Sequence, residues 1–185
     1  MTHSVSASRS RNPATSVALV VGASLLMTLA AHVSVPFYPV PMTLQGSVAV
    51  LAGLLLGPRL ALAAMALYLA QGAMGLPVFA GTPARGLGLA YMAGPTGGFL
   101  LGFALTAWLA GTLARFGWAR SLLGSFIVSL IAIAAMYVPG LLWLGQFTGY
   151  GAALLTAGLL PFLIGDAVKA ALAALLARGW NSLRR

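Results

Sequence analysis

Apolar residues run along this chain in long blocks, broken by short clusters of Gly, Pro, Ser and Arg. The blocks show neither the alternation of half-buried strands nor one narrow stripe, the pattern of helices that are apolar all round. Six predicted spans follow: Val17–Val35, Leu44–Leu56, Leu60–Gly75, Thr96–Ala114, Ser121–Val138 and Leu159–Ala177. The fifth can continue to Leu144 past Pro139-Gly140, and Pro161 falls in the first turn of the sixth, where a missing N–H does no harm. A Gly/Pro-rich stretch, Leu76–Pro95, separates the third and fourth spans, and Thr148–Gly158 is expected as a short helix or re-entrant piece.

Composition narrows the class. Of 185 residues, 61% are hydrophobic and 6% charged, and mean hydropathy is +1.00. Soluble domains carry about 25% charged residues, so the expected fold is an all-α integral membrane protein. A tail over 1–16 precedes a single membrane domain over 17–177, and a basic tail covers 178–185. No internal repeat is visible, and with no cysteine there is no disulfide, zinc-thiolate site or thiol nucleophile.

The charges orient the spans. Ten Lys and Arg face one acid, Asp166, giving a net charge of +9. In a soluble protein such a balance would point to nucleic acid; charges this sparse suit helix ends instead, so no nucleic-acid partner is expected. With six spans, Arg9, Arg11, Arg59, Arg115, Arg120, Arg178, Arg184 and Arg185 fall on one side, and the opposite loops hold only Arg85. By the positive-inside rule both termini are cytoplasmic. The start of the chain also has the look of a secretory signal peptide. Its apolar run continues through Val33, Val35 and Phe37, which favours a retained helix.

Polar side chains inside a membrane are costly and mark functional sites. In the six-span topology Asp166, Lys169, Gln71, Gln45, His32 and Arg85 collect in the outer half, which is expected to hold a ligand pocket open to the outside. Asp166 and Lys169, three apart, share a helix face. They can serve as a self-neutralising pair retained for folding, or meet a ligand that carries a donor and an anion. Arg85, inside Gly81-Thr82-Pro83-Ala84-Arg85-Gly86-Leu87-Gly88, is either a solvated cation or a guanidinium lid over an anionic group. Gln71 can instead bond a neighbouring helix. Tyr68, one turn earlier, can stack on a ring or pack in the core, and His32 reads as interfacial.

Small residues recur at helical spacing. Ala14, Ala18, Gly22 and Ala30, interrupted by Leu26, line one stripe of the first helix; Gly53/Gly57 and Gly98/Gly102 form further pairs. The later pairs suit packing within the chain, whereas the first stripe can face another membrane protein. No Walker A, HExxH or G-x-S-x-G sequence, carboxylate pair or metal-ligand cluster occurs, so neither an enzyme nor a metal or cofactor site is expected.

Five ordered segments carry a family resemblance: Val35-Pro36-Phe37-Tyr38-Pro39-Val40-Pro41-Met42-Thr43-Leu44-Gln45, Leu54-Leu55-Leu56-Gly57-Pro58-Arg59, Gly75-Leu76-Pro77-Val78-Phe79-Ala80-Gly81, Gly94-Pro95-Thr96-Gly97-Gly98 and Leu160-Pro161-Phe162-Leu163-Ile164-Gly165-Asp166-Ala167-Val168-Lys169-Ala170. Across residues 17 to 177 the chain resembles the BioY family of biotin-transport proteins. The resemblance implies the substrate-binding S component of an energy-coupling-factor (ECF) importer in the cytoplasmic membrane, surrounded by lipid. Six helices would bind biotin from outside, and a transmembrane coupling protein with two ATPase subunits would power uptake. It carries binding roles onto Arg85, Asp166 and Lys169 and onto the position of Gln71, where asparagine also occurs in the family. Ala14, Ala18 and Gly22 approximate the family's partner-contact motif. Asp166 would accept the ureido N–H groups, Arg85 and Lys169 would supply donors, and Tyr68, Phe37 and Phe79 would cover the apolar ring. The competing class is a self-sufficient proton-coupled transporter built on Asp166 and Lys169, or a pigment with Lys169 as Schiff base.

Overall fold

The computed structural model describes residues 12–36 and 38–183. Arg9, Arg11, Phe37, Arg184 and Arg185 lie outside them, as does most of the expected N-terminal tail. The first helix, α1 (Pro13–His32), opens on Asn12, whose side chain accepts from the Ala14 N–H at 3.0 Å, with Pro13 at the position that has no bond to lose. It stops at His32, short of the expected Val35. There the chain turns into a two-residue strand, β1 (Ser34–Val35), which pairs antiparallel with β2 (Met42–Thr43). Pro36, Pro39 and Pro41 lack the N–H groups a helix would need through this stretch.

α2 (Gln45–Leu56) and α3 (Pro58–Ala73) meet at Gly57, whose φ of +80° makes the reversal, and Pro58 starts α3. After the Leu76–Pro95 stretch, with a short α4 (Gly88–Met92), come α5 (Gly97–Arg115) and α6 (Leu122–Thr148). α6 runs unbroken through Pro139 and outlasts both expected ends of the fifth span. The piece expected over Thr148–Gly158 is α7 (Ala152–Gly158), entered through Gly149 at φ +77°. Pro161 sits in a 3-10 turn, Leu160–Phe162, and not in the first α-turn; the last helix, α8 (Leu163–Leu183), runs past the expected stop at Ala177.

α5 packs on α6, α2 and α3; α1 lies against α3 and α2; α8 lies against α6 and α2. Glycine permits the closest approaches. A Cβ on Gly53 would stand 2.4 Å from the Ala107 carbonyl oxygen, and one on Gly98 would stand 2.3 Å from that of Pro139. These small-residue pairs therefore pack within the chain, as expected. Thr106 adds a 2.9 Å hydrogen bond to the Ala132 carbonyl, across α5 and α6.

Large apolar side chains also cover the outside: Leu25, Leu29, Leu123, Val138, Ile164 and Val168 are all exposed. In water such a surface would aggregate; against lipid it costs nothing. Among the described residues four segments are long and apolar enough to cross a bilayer, namely α1, α5, α6 and Ala152–Trp180. At 1.5 Å per residue α2 and α3 measure about 18 and 24 Å, less than the ~30 Å hydrocarbon layer.

Candidate functional site

Asp166 and Lys169 sit in the first two turns of α8, and both are buried, at 5% and 8% exposure. The Lys169 ammonium lies 2.9 Å from one carboxylate oxygen of Asp166. The other oxygen accepts a hydrogen bond from the Tyr137 hydroxyl on α6. The Lys169 stem runs over Gly46, where an added Cβ would stand 3.7 Å from Cδ, and its backbone carbonyl accepts from the Ser47 hydroxyl at 3.2 Å. The two charges thus converge from one helix face on a point where α2, α6 and α8 meet.

A cavity of about 40 Å³ adjoins this cluster. Phe99 and Phe103 of α5, Met136 of α6 and Phe162 form its apolar wall, and Val40 to Thr43 close it. Small-molecule sites usually enclose about 300–1,000 Å³, so the space is contracted. Met42 explains part of this: its sulfur would be 2.9 Å from a Cβ on Gly165, so the β-loop lies directly on α8.

The other expected site residues are distributed around this cluster. Gln45 and Tyr68 do not line the cavity; they hold its cover. Thr43 donates to Gln45 Oε1 at 3.1 Å, Gln45 Nε2 donates to the Tyr68 hydroxyl at 2.6 Å, and that hydroxyl donates to the Val78 carbonyl at 3.1 Å. This series of bonds ties the β-loop, α2, α3 and the Leu76–Pro95 stretch together. Arg85 is exposed and reaches across to the same cover, its Nη1 donating to the Pro39 carbonyl at 3.4 Å. Gln71 turns to α1 and accepts from the Ser24 hydroxyl at 2.7 Å, the helix-to-helix role weighed for it. His32 is exposed.

The stretch Leu76–Pro95 has its own anchor. Phe79 is fully buried between Tyr68, edge-on at 5.4 Å, and Tyr91, stacked at 4.9 Å. Phe79 is thereby committed to this stack and is absent from the cavity wall. Burial raises the Tyr91 pKa above its usual 10.0, with a hydrogen bond to Thr96 and the Arg85 charge offsetting part of the rise. The phenol stays a donor and bonds the Ala80 carbonyl at 2.8 Å. The tip around Gly81–Leu87, including Arg85, is mostly exposed, as are Leu76 and Leu89 on either side of it.

Tyr137 was not legible as a site residue. A tyrosine inside a 27-residue apolar helix reads as core, and its one signal is position beside the Pro139-Gly140 pair. Phe99, Phe103 and Phe162 likewise read as ordinary span residues. At the small-residue stripe, Ala14 and Ala18 are exposed, and a Cβ on Gly22 would meet nothing within 4 Å.

A helical bundle with a lipid-type apolar surface, and a buried ion pair beside a small cavity, has the architecture of a multi-pass membrane protein. Its kind is given by descent: the chain belongs to the BioY family, whose family model matches residues 1–185. It is 40% identical over 161 residues to the probable biotin transporter BioY of Pyrococcus horikoshii, covering 87% of this chain and 93% of that one. The biotin transporter BioY of Thermotoga maritima is 35% identical over 82% of this chain and 87% of its own. The crystal structure of the S-component for biotin from an ECF-type ABC transporter superposes with a TM-score of 0.80 at 25% identity, covering 91% of this chain and 92% of that one.

Proposed function

We propose that the protein captures biotin as the substrate-specific S component of an ECF-type importer in the cytoplasmic membrane. The observation that carries this is the Tyr137–Asp166–Lys169 cluster at the edge of an otherwise apolar cavity. Biotin needs such a site. Its ureido ring offers N–H donors to a carboxylate, its thioether ring and chain are apolar, and its own carboxylate needs cations. Asp166, the chain's one acidic side chain, takes the N–H groups, while Lys169 and Arg85 serve the ureido oxygen and the ligand carboxylate. Phe99, Phe103 and Phe162 cover the ring.

In this account all six apolar helices other than α4 and α7 cross the membrane, the short α2 and α3 included, with both termini cytoplasmic and the cavity in the outer half. Biotin enters when the 40–43 cover lifts and Arg85 leaves Pro39; closure rebuilds the Thr43–Gln45–Tyr68–Val78 chain over the ligand. The chain itself performs no hydrolysis. A transmembrane coupling protein, docking on the stripe of Ala14, Ala18 and the half-buried Gly22, and two ATPases supply the energy for inward release.

Uptake of labelled biotin by a host lacking its own transporter tests this. Import should need the coupling protein and ATPases, fall when ATP is depleted, and survive an uncoupler while ATP stays high. Collapse under the uncoupler with ATP intact would instead support a proton-coupled carrier using Asp166 and Lys169.

A further inference from the structure

At the end of the bundle away from the cavity, the chain carries positive charge with nothing of its own to balance it. Arg59 begins α3, Arg115 ends α5, Arg120 precedes α6 and Arg178 lies near the end of α8. The one acidic side chain, Asp166, is at the opposite end and bound to Lys169 and Tyr137. Two of these arginines are occupied locally: Arg178 donates to the Arg120 carbonyl at 2.8 Å, and the Arg120 guanidinium folds onto the turn at Gly117. Arg59 and Arg115 instead flank one groove of about 540 Å³ between α3 and α5.

The groove has two chemistries. Arg59 and Arg115 stand at one end of it, beside the first turn of α3, where the Arg59 and Leu60 N–H groups have no helical partner and the Ala61 N–H bonds the Gly57 carbonyl. The α5 carbonyls that would oppose an anion there are bonded by the turn: Phe116 N–H to Thr112, Trp118 N–H to Leu113 and Gly117 N–H to Ala114. Along the bundle the walls become apolar, with Leu62, Trp108 and Phe116 all exposed. Trp108 lies two turns in from Arg115, the order expected where lipid headgroups give way to acyl chains.

We propose that the α3–α5 groove is a binding site for an anionic phospholipid, with its phosphate held between Arg59 and Arg115 and its acyl chain against Leu62 and Trp108. The apolar wall below the two cations selects a lipid over a free phosphate. The groove also lies across α3 from α1, apart from the stripe assigned to the coupling protein.

The test is native mass spectrometry of the full chain in detergent, titrated with phosphatidylglycerol or phosphatidylcholine. Phosphatidylglycerol should bind more tightly, and Arg59→Gln/Arg115→Gln should weaken it about 30-fold, from roughly fivefold per arginine near a membrane surface. Arg178→Gln, which removes one charge at the same end but outside the groove, should leave it unchanged. Equal binding of the two lipids would overturn the proposal, as would an equal loss in Arg178→Gln. Displacement of the lipid by millimolar inorganic phosphate would identify a plain anion site instead. If the double variant keeps its lipid but no longer co-purifies with the coupling protein, the groove belongs to that protein. None of these readouts involves biotin, so they stand apart from the transport assay.

Discussion

The Tyr137 hydroxyl on α6 donates to the Asp166 oxygen that Lys169 leaves open, so two helices and two kinds of donor hold a single carboxylate. A carboxylate buried in an apolar bundle is tolerable only with such a complete set of partners. Tyr137→Phe removes one of them. The variant should lose about 1–3 kcal/mol of stability, the cost of a buried group losing its partner, seen as a lower melting temperature in detergent. Biotin should still bind, because the freed oxygen can accept a ureido N–H.

The ion pair can be separated from the site it forms. Lys169→Met alone leaves Asp166 as an uncompensated buried charge and should destabilise by about 3–5 kcal/mol. Asp166→Asn/Lys169→Met removes both charges and should recover much of that loss while binding no biotin. A double variant that binds normally would reduce the pair to a structural role. Thermal unfolding and ligand titration of the same preparations give both answers.

Gln45 acts on the cover. Gln45→Met keeps the volume but removes the side-chain hydrogen bonds to Thr43 and Tyr68, loosening the 40–43 segment on α3 while the residue-45 N–H still bonds Thr43 Oγ1. Loss of about 1–2 kcal/mol from the closed state should speed biotin release roughly tenfold. Stopped-flow dissociation kinetics measure it; an unchanged rate would mean that the cover is held elsewhere.

Two glycines should respond oppositely to bulk. Gly53→Leu drives a side chain into the Ala107 carbonyl, so the α2–α5 contact and the fold should fail. A Cβ at Gly22 would meet nothing within 4 Å, so Gly22→Leu should fold and bind biotin while losing uptake through the proposed partner face. Normal uptake in Gly22→Leu would remove that face from the account.

These residues also mark what could be read before any coordinates. Helix positions followed from apolar blocks and their punctuation, because a membrane span has to satisfy its backbone internally. The ion pair stood out because Asp166 is the sole acid. Ends set by tertiary contact were missed: α1 yields to β-pairing at Ser34, and α6 continues through Pro139 because its neighbours pack along it. Tyr137 was missed for a related reason. Whether a tyrosine is core or site depends on what lies across from it, and that partner is 29 residues away. Gln71 shows the converse, its amide being spent on Ser24 of α1.

Calorimetric titration of biotin into the purified chain, beside Asp166→Asn, is the most direct test of the central claim. Saturable one-to-one binding is expected, weakened in the variant by about 1.5–3 kcal/mol, the worth of a hydrogen bond to a charged group. Full affinity in Asp166→Asn, or no binding by a folded wild-type chain, would contradict it.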